Sequence, residues 1–326
     1  MAIYAHSRSA DFVHDMRDLL GAGFRDLGYA VSLRAESDGF ARSADWHVVM
    51  VPDEFFTLDG APRADRALPQ RLIVVNTEQR ASPWFLRAAP VFKRALVVWD
   101  IDYENTLYLN EAGVFADFLA LGYAEEIECR KRRFVPPPRG LGIDPALWNE
   151  AEAGAELWTR PLDVFFVGRP TPRRMEFFSE NGACLARWKC FFFFSDALSP
   201  RHGRGVRHDH IVTLARRSKI ILNLHGDEHD YFEWHRIVQL GIAHRSLVLS
   251  EPCGFNPYFA PGKHYLEESL HRFGDRLAAL LGSTAGRKEA ECVAAAAWDT
   301  LIRDCRMADM LRPLMERASH VALALQ

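Results

Sequence analysis

The chain has 326 residues, 48% of them hydrophobic and 25% charged, with a formal net charge of −3. The length exceeds one small core and suits two α/β domains of roughly 150 residues each, and the average composition excludes a disordered chain or a fibrous repeat. So small a charge provides no global attraction to nucleic acid, which is excluded as the main partner.

The chain opens on short apolar, β-branched runs at Ala2–Ala5, Ala30–Arg34, Trp46–Val51, Arg71–Asn76 and Ala95–Trp99, which read as buried strands. Asp11–Leu27 carries Phe12, Met16, Leu19, Leu20, Phe24 and Leu27 at helical spacing. This alternation predicts a parallel sheet with helices on its faces. Asn105–Leu121 reads as a further helix, and the Pro-rich stretch after Phe134 can continue neither helix nor sheet. The expected organisation is an N-terminal Rossmann-like domain over 1–135, a linker over 136–160, a second Rossmann-like domain over 161–270 and a helical tail over 271–326 packing across both. In the second domain Leu162–Val167, Lys189–Ser195, Lys219–His225 and Ser246–Ser250 read as strands. Pro172–Asn181, His208–Arg217 and about Phe232–Ala243 read as helices. Two such doubly wound units predict a cleft at the carboxyl ends of both sheets.

Six cysteines without a CxxC pair (Cys129, Cys184, Cys190, Cys253, Cys292, Cys305) read as reduced core residues. The start MAIYAHSRSADF has no basic-then-apolar leader and no apolar run reaches spanning length, so no integral membrane span and a cytoplasmic address are expected.

Two segments carry chemistry at expected strand ends. Gly168-Arg169-Pro-Thr-Pro-Arg173-Arg174 joins a strand to a helix start, where close backbone approach, exposed N–H groups and bidentate guanidiniums suit a diphosphate; a solvated turn is the plainer reading. Lys219 through Asn223, His225 and Gly226 to Glu233 and Arg236 forms a strand, a turn and a helix. There Glu233 and Arg236, three apart, share a face suited to ribose and phosphate or form an ordinary surface pair. The His- and acid-rich run from His225 to His235 lacks an HExxH motif, and Gly226 takes His225 and His229 off a common helix face, so no metal is expected. Glu251 follows a strand and is placed to accept a hydroxyl or a base edge. The basic loop Arg201–His210 is a further place where phosphates would be covered, or a solvated loop.

Taken together, Asn76-Thr-Glu-Gln79, Val98–Asn105, Asp163–Gly168 with Arg173-Arg174, Ser218–His225 and Phe232–Arg236 leading to Glu251 resemble a family of bacterial GT-B glycosyltransferases. It is related to the CgeB-like spore-maturation group and to family 1/4-type C-terminal domains. The resemblance implies two Rossmann-like domains, a nucleotide-sugar donor held by the C-terminal one, an acceptor presented by the N-terminal one and no obligatory metal or other cofactor. The activity implied is hexosyltransferase-like. The chain departs from the retaining pattern of two glutamates eight apart, carrying Tyr231 and Gln239 at those positions.

Donor contacts are then expected from Gly168, Arg169, Arg173, Arg174, Lys219, Asn223, His225, Gly226, Glu233, Arg236 and Glu251. The acceptor-side base is sought among His6, Asp53, Glu78 and Asp100, Glu78 being the first choice. Asp100-Ile-Asp102 also forms the D-x-D triplet by which some glycosyltransferases hold a cation. Trp84, Phe85, Trp99 and Tyr103 are placed to stack on a sugar or to fill the core. The acceptor stays open among glycan, protein and small molecule, and the oligomeric state is not specified by the sequence. Two other readings also stand: a catalytically degenerate nucleotide- or glycan-binding protein, and a GT-B-like transferase of a non-sugar group such as pyruvyl.

Overall fold

The computed structural model describes residues 1–60, 67–131, 135, 156–195 and 207–325. It divides into two compact units, Met1–Ile127 with Cys305–Gln326, and Glu128–Asp304.

The first unit begins with β1 (Ala2–Tyr4), α1 (Asp11–Asp26), β2 (Ser32–Arg34), β3 (His47–Met50) and α2 (Pro52–Thr57). There follow β4 (Leu72–Asn76), α3 (Pro83–Phe92), β5 (Val97–Asp100), α4 (Tyr103–Glu111), β6 (Ala116–Phe118) and α5 (Glu125–Lys131), within which the division falls. The strands pair in the order β2-β1-β3-β4-β5-β6, all parallel. β1, β3, β4 and β5 are buried along their whole length, as apolar strands covered on both faces must be. The helical spacing of α1 turns Val13, Met16, Leu19, Leu20 and Phe24 inward. Caps fix where the helices after β4 and β5 begin. Ser82 Oγ accepts from Trp84 N–H ahead of Pro83, and Asp102 accepts from Asn105 N–H.

The helix expected over Asn105–Leu121 stops at Glu111. Gly113 adopts φ 77° just beyond it, and the Asn110 side chain bonds both the N–H and the C=O of Ala116. Those bonds reverse the chain into β6, a strand too short to be read from its sequence.

The second unit holds β7 (Leu162–Gly168), α6 (Pro172–Glu180), α7 (Gly182–Leu185), β8 (Cys190–Phe194), α8 (His208–Arg216), β9 (Ser218–Asn223), a π-helix (His235–Gly241), β10 (Leu247–Ser250) and β11 (Leu266–Glu267). Its strands pair in parallel in the order β11-β10-β9-β7-β8. The last helices are α9 (Phe273–Gly282), α10 (Thr284–Asp304) and α11 (Met307–Ala324). The segment expected as one tail thus distributes α9 and α10 to the second unit and α11 to the first. Within the first unit α11 lies close on α1, where a Cβ on Gly23 would meet Met307 Cγ at 2.6 Å.

Of the expected linker, 136–155 lies outside the described residues. Arg160 is buried in the second unit, donating to the carbonyls of Ser218 and His244 and to Ser246 Oγ. All six cysteines are free thiols; Cys129 and Cys292 are exposed on helix surfaces, against the expectation that they fill the core. No helix among the described residues is long and apolar enough to cross a membrane.

Candidate functional site

In a doubly wound sheet the loops leaving two adjacent strands diverge where the strand order reverses, and this opens a crevice at their carboxyl ends. The orders above put that point between β7 and β9 in the second unit and between β1 and β3 in the first.

At the β7/β9 point, Val164, Phe166 and Gly168 share one face of the strand. A Cβ at 168 would lie 2.9 Å from Phe166 Cζ and 3.0 Å from Arg174 Nη1, so glycine lets a guanidinium reach the strand end. Thr171 caps α6 and Pro172 starts it, which turns Arg174 inward. Arg174 is 5% exposed, and among the described residues its guanidinium hydrogen-bonds carbonyls and no carboxylate. Nε and Nη2 donate to Leu224 O (3.0 and 2.7 Å), and Nη1 donates to Arg169 O (3.2 Å). Arg236, in the first turn of the π-helix, donates to Val167 O, to Asn223 Oδ1 (2.7 Å) and to Glu233 Oε2 (3.4 Å). Both guanidiniums lie over Phe166, at 5.5 and 5.4 Å from the ring centroid.

Burial and then the nearby Arg236 charge push Arg174 down to about 10, which leaves it cationic at neutral pH. Burial pushes Glu233 up, but Arg236, His235 and Arg174 outweigh it and hold the carboxyl below its ordinary range. Tyr231, raised by burial and by the Glu233 charge, stays protonated and donates to Glu233 Oε2 (3.1 Å). His225 Nε2 donates to Pro252 O (2.9 Å), so Nδ1 carries a lone pair; that nitrogen is buried and has no hydrogen-bond partner among the described residues. The product is two guanidiniums, one carboxylate and one imidazole lone pair at the ends of adjacent strands.

Gly168, Arg174, Asn223, His225, Gly226, Glu233 and Arg236 are therefore brought together. Glu233 precedes the helix rather than lying on it, because the helix expected from Phe232 spans His235–Gly241 and is π-wound, a form frequent at functional sites. Arg169 is exposed, and its carbonyl anchors Arg174. Glu251, expected to accept a ligand hydroxyl, is 3% exposed and already engaged: Arg173 donates to both its oxygens and the His225 N–H to Oε2 (2.7 Å). Arg173 is drawn by the same pair away from a free phosphate-binding role. Lys219 stands at the opposite end of β9, five residues or about 16 Å of extended chain before Leu224, and pairs with Asp163 at 2.5 Å. Gln239, at the position of the second glutamate of the retaining pattern, accepts from Lys131 (3.2 Å). Of the basic loop, 201–206 lies outside the described residues, and Arg207 pairs with Asp209. Phe166, which seats both guanidiniums, was not singled out in the sequence; its spacing of two from Gly168 was the available signal.

At the strand ends of the first unit His6 is fully buried. Nδ1 accepts from Arg8 N–H (3.1 Å), so Nε2 carries the proton and donates to Asp59 O (3.2 Å), and neither nitrogen keeps a lone pair for a substrate. Asp100 is fully buried and accepts from Asn76 Nδ2 (2.7 Å) and Asp102 N–H (2.8 Å), while Asp102 caps α4. The D-x-D triplet is thus consumed in holding the β5–α4 turn. Glu78 accepts from Ser82 Oγ (3.0 Å) and is half-buried. Trp99 and Phe85 fill the core, while Trp84 is 42% exposed with Arg87 over its ring.

Asp53 stands apart. It is 2% exposed and its Oδ1 has no hydrogen-bond partner among the described residues. Burial, then the charges of Glu78 and Glu54, push it up to about 7. It is carried there by Val51, a β-branched residue in the left-handed region (φ 47°, ψ 71°), a conformation costing on the order of 1–3 kcal/mol and concentrated at functional sites.

No protein-family model matches the chain, and no curated protein is similar to it in sequence. Solved structures are similar in fold. Anabaena HepE in complex with UDP-glucose superposes with a TM-score of 0.60 at 9% identity, over 98% of this chain and 99% of that one. An α,α-trehalose-phosphate synthase (UDP-forming) from Burkholderia vietnamiensis gives 0.52 at 12%, over 96% and 77%. TarM of S. aureus in complex with UDP gives 0.50 at 10% over 83% of this chain, which spans only 55% of TarM. Two parallel doubly wound units and these likenesses define a GT-B fold.

Proposed function

We propose that this protein is a metal-independent glycosyltransferase, which takes a hexose from a nucleoside-diphosphate sugar bound at the β7/β9 strand ends. The observation that carries this is the pair Arg174 and Arg236, both buried on Phe166 and cationic, with Arg236 Nη2 uncommitted among the described residues. Buried guanidiniums without a full complement of carboxylates suit a dianionic ligand, and fixed donors aimed at a leaving diphosphate stabilise the charge that develops as the glycosidic bond breaks. Glu233, ionised and with Oε1 not engaged among the described residues, accepts ribose or sugar hydroxyls, and His225 Nδ1 accepts another. The chain's likeness in fold to HepE, crystallised with UDP-glucose, supports a uridine nucleotide and a hexose.

The acceptor is a glycan, a protein or a small molecule. The test is incubation of the full chain with UDP-, GDP-, ADP-, CMP- and TDP-sugars, following donor hydrolysis and thermal stabilisation by the free nucleotide. Slow hydrolysis of one donor, abolished in Arg236→Ala, is the expected result. Stabilisation by nucleotide without turnover of any donor would establish a binding protein instead.

A further inference from the structure

We infer that the outer face of α3 and α4 in the first unit docks the protein on a bilayer surface carrying anionic phospholipid, lying on that surface rather than crossing it. The inference is independent of the transferase reading, because it concerns the outside of two helices and not the strand ends.

α3 joins β4 to β5 and α4 joins β5 to β6, two pairs of adjacent parallel strands. Right-handed crossovers put both helices on the same face of the sheet, side by side. Phe85 and Tyr108, with ring centroids 6.3 Å apart, join them. α3 turns Phe85, Ala88, Val91 and Phe92 onto the sheet, and α4 turns Asn105, Thr106 and Leu109 the same way. The stripes left outside are Leu86, Pro90 and Lys93 on α3 and Glu104, Leu107 and Glu111 on α4, spaced three and four residues apart.

The outer stripe of a helix that meets only water is polar. Here it is largely apolar. Of the eleven large apolar side chains exposed among the described residues, five are Trp84, Leu86, Leu107, Tyr108 and Phe115, so the exposed apolar surface is gathered on these two helices and the turn after the second. Leu86 is 68% exposed and Phe115 60%. Surface of this kind, gathered in one place, marks an interaction site.

The charge around it selects the occupant. From Arg80 to Phe115 the exposed ionic residues are Arg80, Arg87, Lys93 and Arg94 against Glu104 and Glu111, so this face is locally positive on a chain whose net charge is −3. Arg80 lies over the Tyr108 ring at 5.1 Å and Arg87 over the Trp84 ring at 4.2 Å. Trp and Tyr rings settle at headgroup level, a guanidinium beside them grips a phosphate through two hydrogen bonds, and leucines enter the acyl boundary. Protruding side chains such as Leu86 and Phe115 are covered by a surface that yields around them, as a headgroup layer does.

The experiment is sedimentation of the full chain with vesicles of phosphatidylcholine alone and of phosphatidylcholine mixed with phosphatidylglycerol. The chain should sediment with the mixed vesicles and remain in solution with the neutral ones. A cation at an anionic surface contributes about fivefold in affinity, so Arg87→Glu, which removes one and adds a carboxylate, should lower affinity for the mixed vesicles about 25-fold. Leu86→Glu combined with Leu107→Glu, both at exposed positions, should lower it at least tenfold without a change in thermal unfolding. Arg312→Glu makes the same change of charge on α11, which packs with α1 away from this face, and should stay within threefold of wild type. Equal sedimentation with the two kinds of vesicle, none with either, wild-type binding by the Leu86/Leu107 variant, or a loss in Arg312→Glu as large as in Arg87→Glu would each overturn the inference. A chain dimeric by light scattering and monomeric in the Leu86/Leu107 variant would give the face to a second copy and overturn it as well.

Discussion

Replacing Asp53 by Asn, close in shape but unable to ionise, makes a stability prediction independent of any substrate. The carboxyl is displaced from an ordinary value of 3.8 to about 7, first by burial and then by Glu78 and Glu54. The folded chain therefore holds this proton more tightly than the unfolded chain. As pH rises above about 4 the unfolded state ionises first, and stability falls until the folded carboxyl ionises near 7. At about 1.4 kcal/mol per pH unit, ionisation costs on the order of 2 kcal/mol at pH 5 and about 4 kcal/mol at pH 8. Asp53→Asn removes that cost, so its stability relative to wild type should improve by about 2–3 kcal/mol between those two pH values. Urea unfolding followed by tryptophan fluorescence at pH 5 and pH 8 measures it. A difference between variant and wild type that is the same at both pH values would refute the reasoning, because it would mean that Asp53 ionises normally.

Arg174→Ala leaves the carbonyls of Leu224 and Arg169 without their donor and should cost about 2–4 kcal/mol in unfolding experiments, together with the loss of nucleotide-induced thermal stabilisation. Lys219→Ala, at the far end of the same sheet, should leave nucleotide affinity unchanged in a calorimetric titration and cost about 1 kcal/mol or less through Asp163. Gly241→Ala would place a Cβ 2.2 Å from Val248 Cγ2 where the π-helix crosses β10; a loss of about 1–3 kcal/mol by thermal unfolding is expected, since the packed strand has no room to yield.

Most of the architecture was legible because buried parallel strands are apolar along their length and amphipathic helices repeat at 3.6, both local signals. β6 escaped because its three residues were absorbed into the helix expected over Asn105–Leu121, and β11 because two residues carry no periodicity. The strand-end turn after β7 was legible for a similar reason: a glycine after an apolar strand and a capped, Pro-led helix start announce such a turn wherever they occur. The roles of the individual side chains were not. Arg173 and Arg174 are adjacent in sequence, yet one is turned outward onto Glu251 and the other inward under Gly168. Lys219 shares a strand with Asn223 but stands at its wrong end. His6, Glu78, Asp100 and Asp53 were equivalent as acids or bases following strands.

What the amino-acid order determines unaided is the two doubly wound units and the places where their chains turn, because propensity, capping and hydrophobic pattern act over a few residues. Which polar groups are available at those turns was decided by packing. The partners that occupy His6, Asp100 and Glu251 and the charges that surround Asp53 come from elements 20 to 80 residues away in most cases, and only the folded chain brings them within reach.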